Sequence, residues 1–148
     1  MIRDATKEDL YSLCDMARRF VEETSLPYTF DEDITMETLW RGINDPDSVL
    51  LVADYEGAIG GSIFGYVDRD FCKEYSAYIS KLYVEKEFRG LKTSMELIEA
   101  FEKETAKAKL LFTSATAGID ERIERMYVHL FKKAGYSVLG RILVKENP

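Results

Sequence analysis

The stretch Lys81-Leu82-Tyr83-Val84-Glu85-Lys86-Glu87-Phe88-Arg89-Gly90-Leu91-Lys92-Thr93-Ser94 constrains this chain more than any other. A strand-like apolar run ends, a short loop with one glycine and three basic residues follows, and a helical pattern begins. Such a junction aims several backbone N–H groups and the positive end of a helix dipole at one spot. An anion such as a pyrophosphate is stabilised there, with Arg89 and Lys92 as charged neighbours. The same local pattern also fits an ordinary strand–loop–helix connection with solvated charges. A choice between the two needs the rest of the chain.

Strand and helix patterns recur on both sides of this junction. Ile2 to Ala5 reads as a first strand, and Thr6 with Asp9 three residues on reads as a helix start. Leu10, Leu13, Cys14, Ala17, Phe20 and Val21 form an apolar stripe, broken at Ser25-Leu26-Pro27-Tyr28. A second helix is expected over about 33–44, ended by Asp45-Pro46-Asp47. Ser48 to Asp54 and Ala58 to Val67 read as a hairpin turned at Glu56-Gly57, and Tyr75 to Val84 as a longer strand. A helix is expected over about 93–106, with Thr93 and Glu96 at capping-box spacing. Leu110 to Ala115 reads as a strand. Ile123, Met126, Tyr127, Leu130, Phe131 and Ala134 form a helical stripe closed by Gly135, and Tyr136 to Val144 reads as a last strand. This mixed order implies an α/β sandwich, with helices on both faces of a mixed sheet.

Size and charge narrow the function classes. At 148 residues the chain has room for one core, so residues 1–148 are read as a single domain. No apolar run approaches the roughly 20 residues of a membrane span, and no secretory signal pattern opens the sequence. The net charge of −7 argues against nucleic acid as a partner and suits a cationic one. Cys14 and Cys72 stand far apart without a redox or zinc spacing, so no metal is expected. They read as buried free thiols of a reducing cytoplasm.

Four segments, in order, resemble one family. Leu82-x-Val84-x-x-x-x-Arg89-Gly90 is similar to the fourth strand and acyl-CoA loop of the GNAT N-acetyltransferase superfamily. Ile2-Arg3-x-Ala5-Thr6-x-x-Asp9 resembles its opening, and Leu50 to Gly61 resembles its second hairpin. Leu130-Phe131-Lys132-Lys133-Ala134-Gly135-Tyr136 resembles the end of its last helix. The resemblance implies a three-layer sandwich around six to seven strands, and acetyl-CoA as co-substrate for acetyl transfer to a primary amine by direct attack. It places the pantetheine arm on the backbone of Leu82, Tyr83 and Val84, splayed from the neighbouring strand. It places the pyrophosphate on Arg89, Gly90, Leu91, Lys92, Thr93 and Ser94, and the thioester near Phe131. Tyr28 and Phe30, in the loop between the first two helices, and Tyr78 would line the acceptor pocket; that loop equally reads as a cover on the core.

Two departures stand out. Lys92 replaces the central loop glycine, where a left-handed conformation would cost a non-glycine residue roughly 1–2 kcal/mol. Phe131 replaces a tyrosine whose hydroxyl serves the family as proton donor to the thiolate. Tyr127, one turn earlier on the same helix face, is either a displaced general acid or a core aromatic. His129 points off that face and reads as surface or interface. These losses motivate an alternative, a catalytically impaired protein that binds CoA or a basic partner. A homodimer is admitted on general grounds.

Overall fold

A computed structural model describes residues 1–24, 26–114 and 121–148. Ser25 of the expected helix break and Ala115 of the expected strand end lie outside them. Five strands form one sheet in the order β1-β2-β3-β4-β5. They are β1 (Ile2–Asp4), β2 (Ser48–Tyr55), β3 (Ala58–Asp68), β4 (Tyr75–Val84) and β5 (Ala108–Thr113). The first four pair antiparallel and β5 joins β4 in parallel, so the sheet is mixed. The helices are α1 (Leu10–Glu23), α2 (Glu32–Asn44), α3 (Leu91–Glu104) and α4 (Glu121–Lys133).

Alternation along the strands assigns the two faces. Leu50, Val52 and Tyr83 face α1 and α2, where Leu13, Cys14, Met16 and Leu39 complete a buried cluster. Leu51, Ala53, Ile63, Leu82 and Val84 face the other way, onto Leu97, Ile98 and Phe101 of α3 and Leu130 and Phe131 of α4. Helices therefore cover both faces, as expected. Glu56 and Gly57 both take positive φ, 56° and 94°, the geometry of the tight hairpin turn expected there. No helix among the described residues is long and apolar enough to cross a membrane.

Arg3 of β1 fastens the sheet to the start of α1. Its guanidinium grips Asp9 with two bonds of 2.8 and 2.9 Å, while Nε donates to Asp54 at 2.8 Å. Asp9 also accepts the Thr6 backbone N–H at 2.8 Å, so the expected acidic partner of Thr6 is in place.

Three expectations need correction. Residues 136–144 form no strand: Val138, Leu139, Ile142, Leu143 and Val144 are all exposed. Strand propensity acts only against a partner strand, and the described sheet ends at β5, so six or seven strands are not reached. The third helix begins at Leu91, capped by Gly90, rather than near Thr93. The Thr93 hydroxyl is committed elsewhere, 2.6 Å from the Tyr55 hydroxyl, so the capping box with Glu96 does not form. Finally, only Cys14 is buried; Cys72 is an exposed thiol.

Candidate active site

Strand β4 changes its pairing partway along. Its pairing with β5 stops at Ile79↔Thr113, while its pairing with β3 continues to Gly61↔Val84. Between those points the β3 register jumps: Gly65 faces Ile79 and Phe64 faces Lys81, which leaves Ser80 as an extra residue. A bulge of this kind bends a strand, and among the described residues β5 pairs with none of residues 80–84. Gly65 makes the kink possible, because a Cβ there would sit 2.2 Å from the Tyr78 carbonyl oxygen and 2.6 Å from the Phe101 ring. Among the described residues no strand pairs with this stretch on the β5 side, and its Leu82 and Val84 carbonyls accept from the Tyr127 hydroxyl and Arg89 Nε instead. An edge held by such exchangeable side-chain bonds can take an extended ligand, as an exposed sheet edge takes a peptide.

At the end of that edge stands the N-terminus of α3. The helix has 14 residues, no side-chain cap and no acidic residue in its first turn. Its free N–H groups and dipole are thus uncompensated and suit an anion. A Cβ at Gly90 would meet nothing within 4 Å, so the space before the helix is open. Lys92 lies inside the helix and needs no left-handed backbone, which corrects the cost expected there; Glu56 is the non-glycine residue with positive φ among the described ones. The Lys92 side chain is 88% exposed, with Nζ 3.8 Å from Glu96. Leu91 is the first residue of α3, Thr93 is buried, and Ser94 is half-buried in the first turn.

Arg89 is more constrained than a solvated loop residue. Its Nε donates to the Val84 carbonyl at 2.9 Å, and its Nη2 lies 3.2 and 3.3 Å from the two oxygens of Glu23. The guanidinium carbon rides 5.6 Å above the Tyr83 ring. Tyr83 donates its own hydroxyl to Glu23 at 3.1 Å, and burial first, then Glu23, raises its phenol above the ordinary value.

Helix α4 brings Tyr127 to the end of β4. Its hydroxyl donates to the carbonyl of Leu82, on the stretch of β4 beyond the bulge. Burial pushes its phenol up to about 12; the nearby charge of Arg89 opposes the rise and that of Glu23 adds to it. Phe131 is buried beneath, 6.1 Å from the Tyr127 ring and 5.1 Å from the Tyr136 ring. His129 is exposed.

A cavity of about 570 Å³ adjoins this edge on the α1 face, lined by Arg19, Glu22, Glu23, Tyr83, Glu85, Lys86 and Glu87. Tyr28, Phe30 and Tyr78 are not among its lining. Tyr28 is 71% exposed, Phe30 packs into the α1–α2 cluster, and Tyr78 stacks between Tyr66 and Phe112 on the paired half of β4. Sequence reading missed Glu23 altogether. Its partners lie 60 and 66 residues away, so no local spacing marks it.

Comparison with known proteins follows the same lines. A family model described as an acetyltransferase (GNAT) domain matches residues 3–147. No curated protein matches the chain by sequence. Among solved structures, a predicted acetyltransferase from Clostridium acetobutylicum, determined with acetyl-CoA, superposes with a TM-score of 0.77 at 15% identity, over 99% of this chain and 95% of that one. Glucosamine-6-phosphate N-acetyltransferase from Arabidopsis thaliana gives 0.74 at 15% identity, over 99% and 97%. An aminoglycoside 6'-N-acetyltransferase from Acinetobacter haemolyticus gives 0.76 at 10% identity, over 100% and 98%.

Proposed function

The chain belongs to the GNAT acetyltransferase family, whose co-substrate is acetyl-CoA, and we propose that it moves the acetyl group to a primary amine by direct attack. The amine is carried by a small molecule or by a protein lysine or N-terminus. The observation that carries this reading is the bulge of β4 at Ser80, after which the strand runs past Tyr127, bonded to Leu82, toward the uncapped start of α3. Two structures of like fold are named for amino-sugar acceptors, which suits a small polar amine here.

A bound thioester supplies an activated acyl carbon and a good leaving group. The backbone of Leu82, Tyr83 and Val84 holds the pantetheine arm in strand fashion. The first-turn amides from Leu91 to Ser94 and the Arg89 side chain hold the pyrophosphate, with Gly90 leaving the approach clear. Lys92, exposed on the outer face of α3, adds charge rather than a fixed contact. Holding the reactants side by side supplies most of the rate. As the amine nitrogen bonds the acyl carbon and the C–S bond breaks, Tyr127 gives its phenolic proton to the departing sulfur. A phenol at about 12 keeps that proton at neutral pH, and solvent then restores it; the proton shed by the amine also goes to solvent. Phe131 has no proton to give and keeps the sulfur end dry. Two free thiols, one exposed, suit a reducing cytoplasm.

Calorimetric titration with acetyl-CoA tests the cofactor half, and free-thiol release with a panel of amines tests the transfer half. Micromolar binding that Arg89→Ala weakens about tenfold is expected, with saturable thiol release for at least one amine. Absence of binding, or thiol release no faster than hydrolysis for every amine tried, sinks the reading. The non-catalytic alternative has no observation of its own in its favour.

A further inference from the structure

The carboxylates that line the cavity beside β4 differ in what neutralises them. Glu22 lies 3.2 Å from Arg18 on the same helix, and Glu85 is bonded to Arg19. Both cations belong to α1 and are also held by Asp15 of the same helix. Glu23 is held by Arg89 at 3.2 Å, and Arg89 sits immediately before Gly90, the cap of the helix that offers an anion site. Its guanidinium lies over the Tyr83 ring, on the α1 face of the sheet, whereas α3 packs on the opposite face. In this arrangement the guanidinium serves the Glu23 carboxylate and, through Nε, the Val84 carbonyl.

Two anions therefore compete for one cation. The Glu23–Arg89 pair is 37% and 43% exposed at its side chains, the kind of pair that contributes little and breaks easily. A pyrophosphate at the α3 N-terminus carries more charge and accepts two parallel N–H bonds from a guanidinium. Once the arginine moves, Glu23 keeps only the Tyr83 hydroxyl, and its carboxylate faces the cavity with its negative charge uncompensated.

We propose that Glu23 is the specificity-determining residue for the acceptor: it receives a cationic amine in the cavity between α1 and β4, and Arg89 covers it until acyl-CoA draws the guanidinium away. The arginine occupies the carboxylate as the acceptor's ammonium later does. Cofactor and acceptor then bind with positive coupling, cofactor first, and by linkage each strengthens the other by the same factor. This rests on the reading of the open edge as the transferase centre.

The test uses the whole protein, CoA as the cofactor form with no acetyl group to transfer, and spermidine as a cationic amine. In the wild-type protein, calorimetry should show spermidine binding at least fivefold tighter with saturating CoA than without it. Glu23→Gln should bring that ratio to within twofold of one and tighten CoA two- to fivefold, because Arg89 is released. Affinity for S-acetylpantetheine, which lacks the diphosphate, should not change, although damage to the general structure would alter it. Glu23→Asp, which keeps the charge, should retain the coupling at reduced size and covers the case in which the Gln variant folds poorly. Equal spermidine affinity with and without CoA, persistent coupling in the Gln variant, or weaker CoA binding by it overturns the proposal. If the wild-type protein does not bind CoA at all, the transferase reading falls with it; normal CoA binding without coupling removes only the role of Glu23.

Discussion

Tyr127 stands at the point where two demands on one hydroxyl meet. Its hydroxyl caps the Leu82 carbonyl, a group that the pantetheine arm would need. During transfer it has to release that carbonyl and face the sulfur. Removal of the hydroxyl therefore pulls binding and chemistry apart. Tyr127→Phe should bind CoA two- to fivefold tighter, because nothing then competes for Leu82, while kcat falls by about 10²-fold through loss of the general acid. Steady-state kinetics paired with calorimetry reads both numbers. A variant with unchanged kcat reduces Tyr127 to a core aromatic. At this scale the sequence carried only half of the site: the family resemblance marks Phe131 as the position without its proton donor, and helical spacing puts Tyr127 on the same face, because both residues belong to one element. Glu23 and the Tyr55–Thr93 hydroxyl pair do not, because each joins segments 38 to 66 residues apart.

Elements were legible where their own residues decide them. The hairpin turn at Glu56-Gly57 and the four helices follow from φ preference and apolar stripes, which are local properties. The strand expected over 136–144 has the right residues and no partner. The start of α3 slipped by two residues because a threonine at capping spacing was already bonded across the fold to Tyr55. The opening segment shows the opposite case, where a local pattern and a long-range clamp agree. Arg3 joins β1 to Asp9 before α1 and to Asp54 at the end of β2, and Asp9 is buried. Arg3 above all, with the Thr6 N–H, holds the Asp9 carboxyl below its ordinary value of 3.8 against the opposing effect of burial. A carboxyl depressed on folding stabilises fully above its unfolded value, and that contribution fades as pH falls through the folded one. Arg3→Ala should therefore cost about 2 kcal/mol at pH 7, from an aspartate left buried without its partner. The gap to wild type should shrink below about pH 3, once the unfolded carboxyl, near 3.9, is protonated in both proteins. Urea unfolding midpoints at the two pH values measure this; a gap that stays constant with pH would show that Arg3 acts by packing alone.

Over the whole molecule, charge and shape act on the same substrate class. The chain carries a net charge of −7, and four carboxylates line the cavity beside the open strand edge against the two cations Arg19 and Lys86. A cationic amine approaching this face gains from the long-range field before it touches Glu23, whereas the anionic cofactor is drawn only by the local amides of α3 and by Arg89. The two substrates should respond to salt differently. The Debye length falls from about 10 Å at 0.1 M to about 3 Å at 1 M, which leaves contacts near 3 Å in place and removes the field that steers a polycation. Raising sodium chloride from 0.05 to 0.5 M should thus lower kcat/KM for a triamine by about tenfold. For a monoamine of similar size the fall should be about twofold, since encounter rates scale steeply with the charge being steered. The kcat values should move little, because once both substrates are bound the transfer depends on short-range geometry. Equal salt sensitivity for the two amines would mean that the acidic surface plays no part in choosing the acceptor. A fall confined to kcat would place the salt effect in the closed complex, on Tyr127 and its neighbours, rather than in the approach.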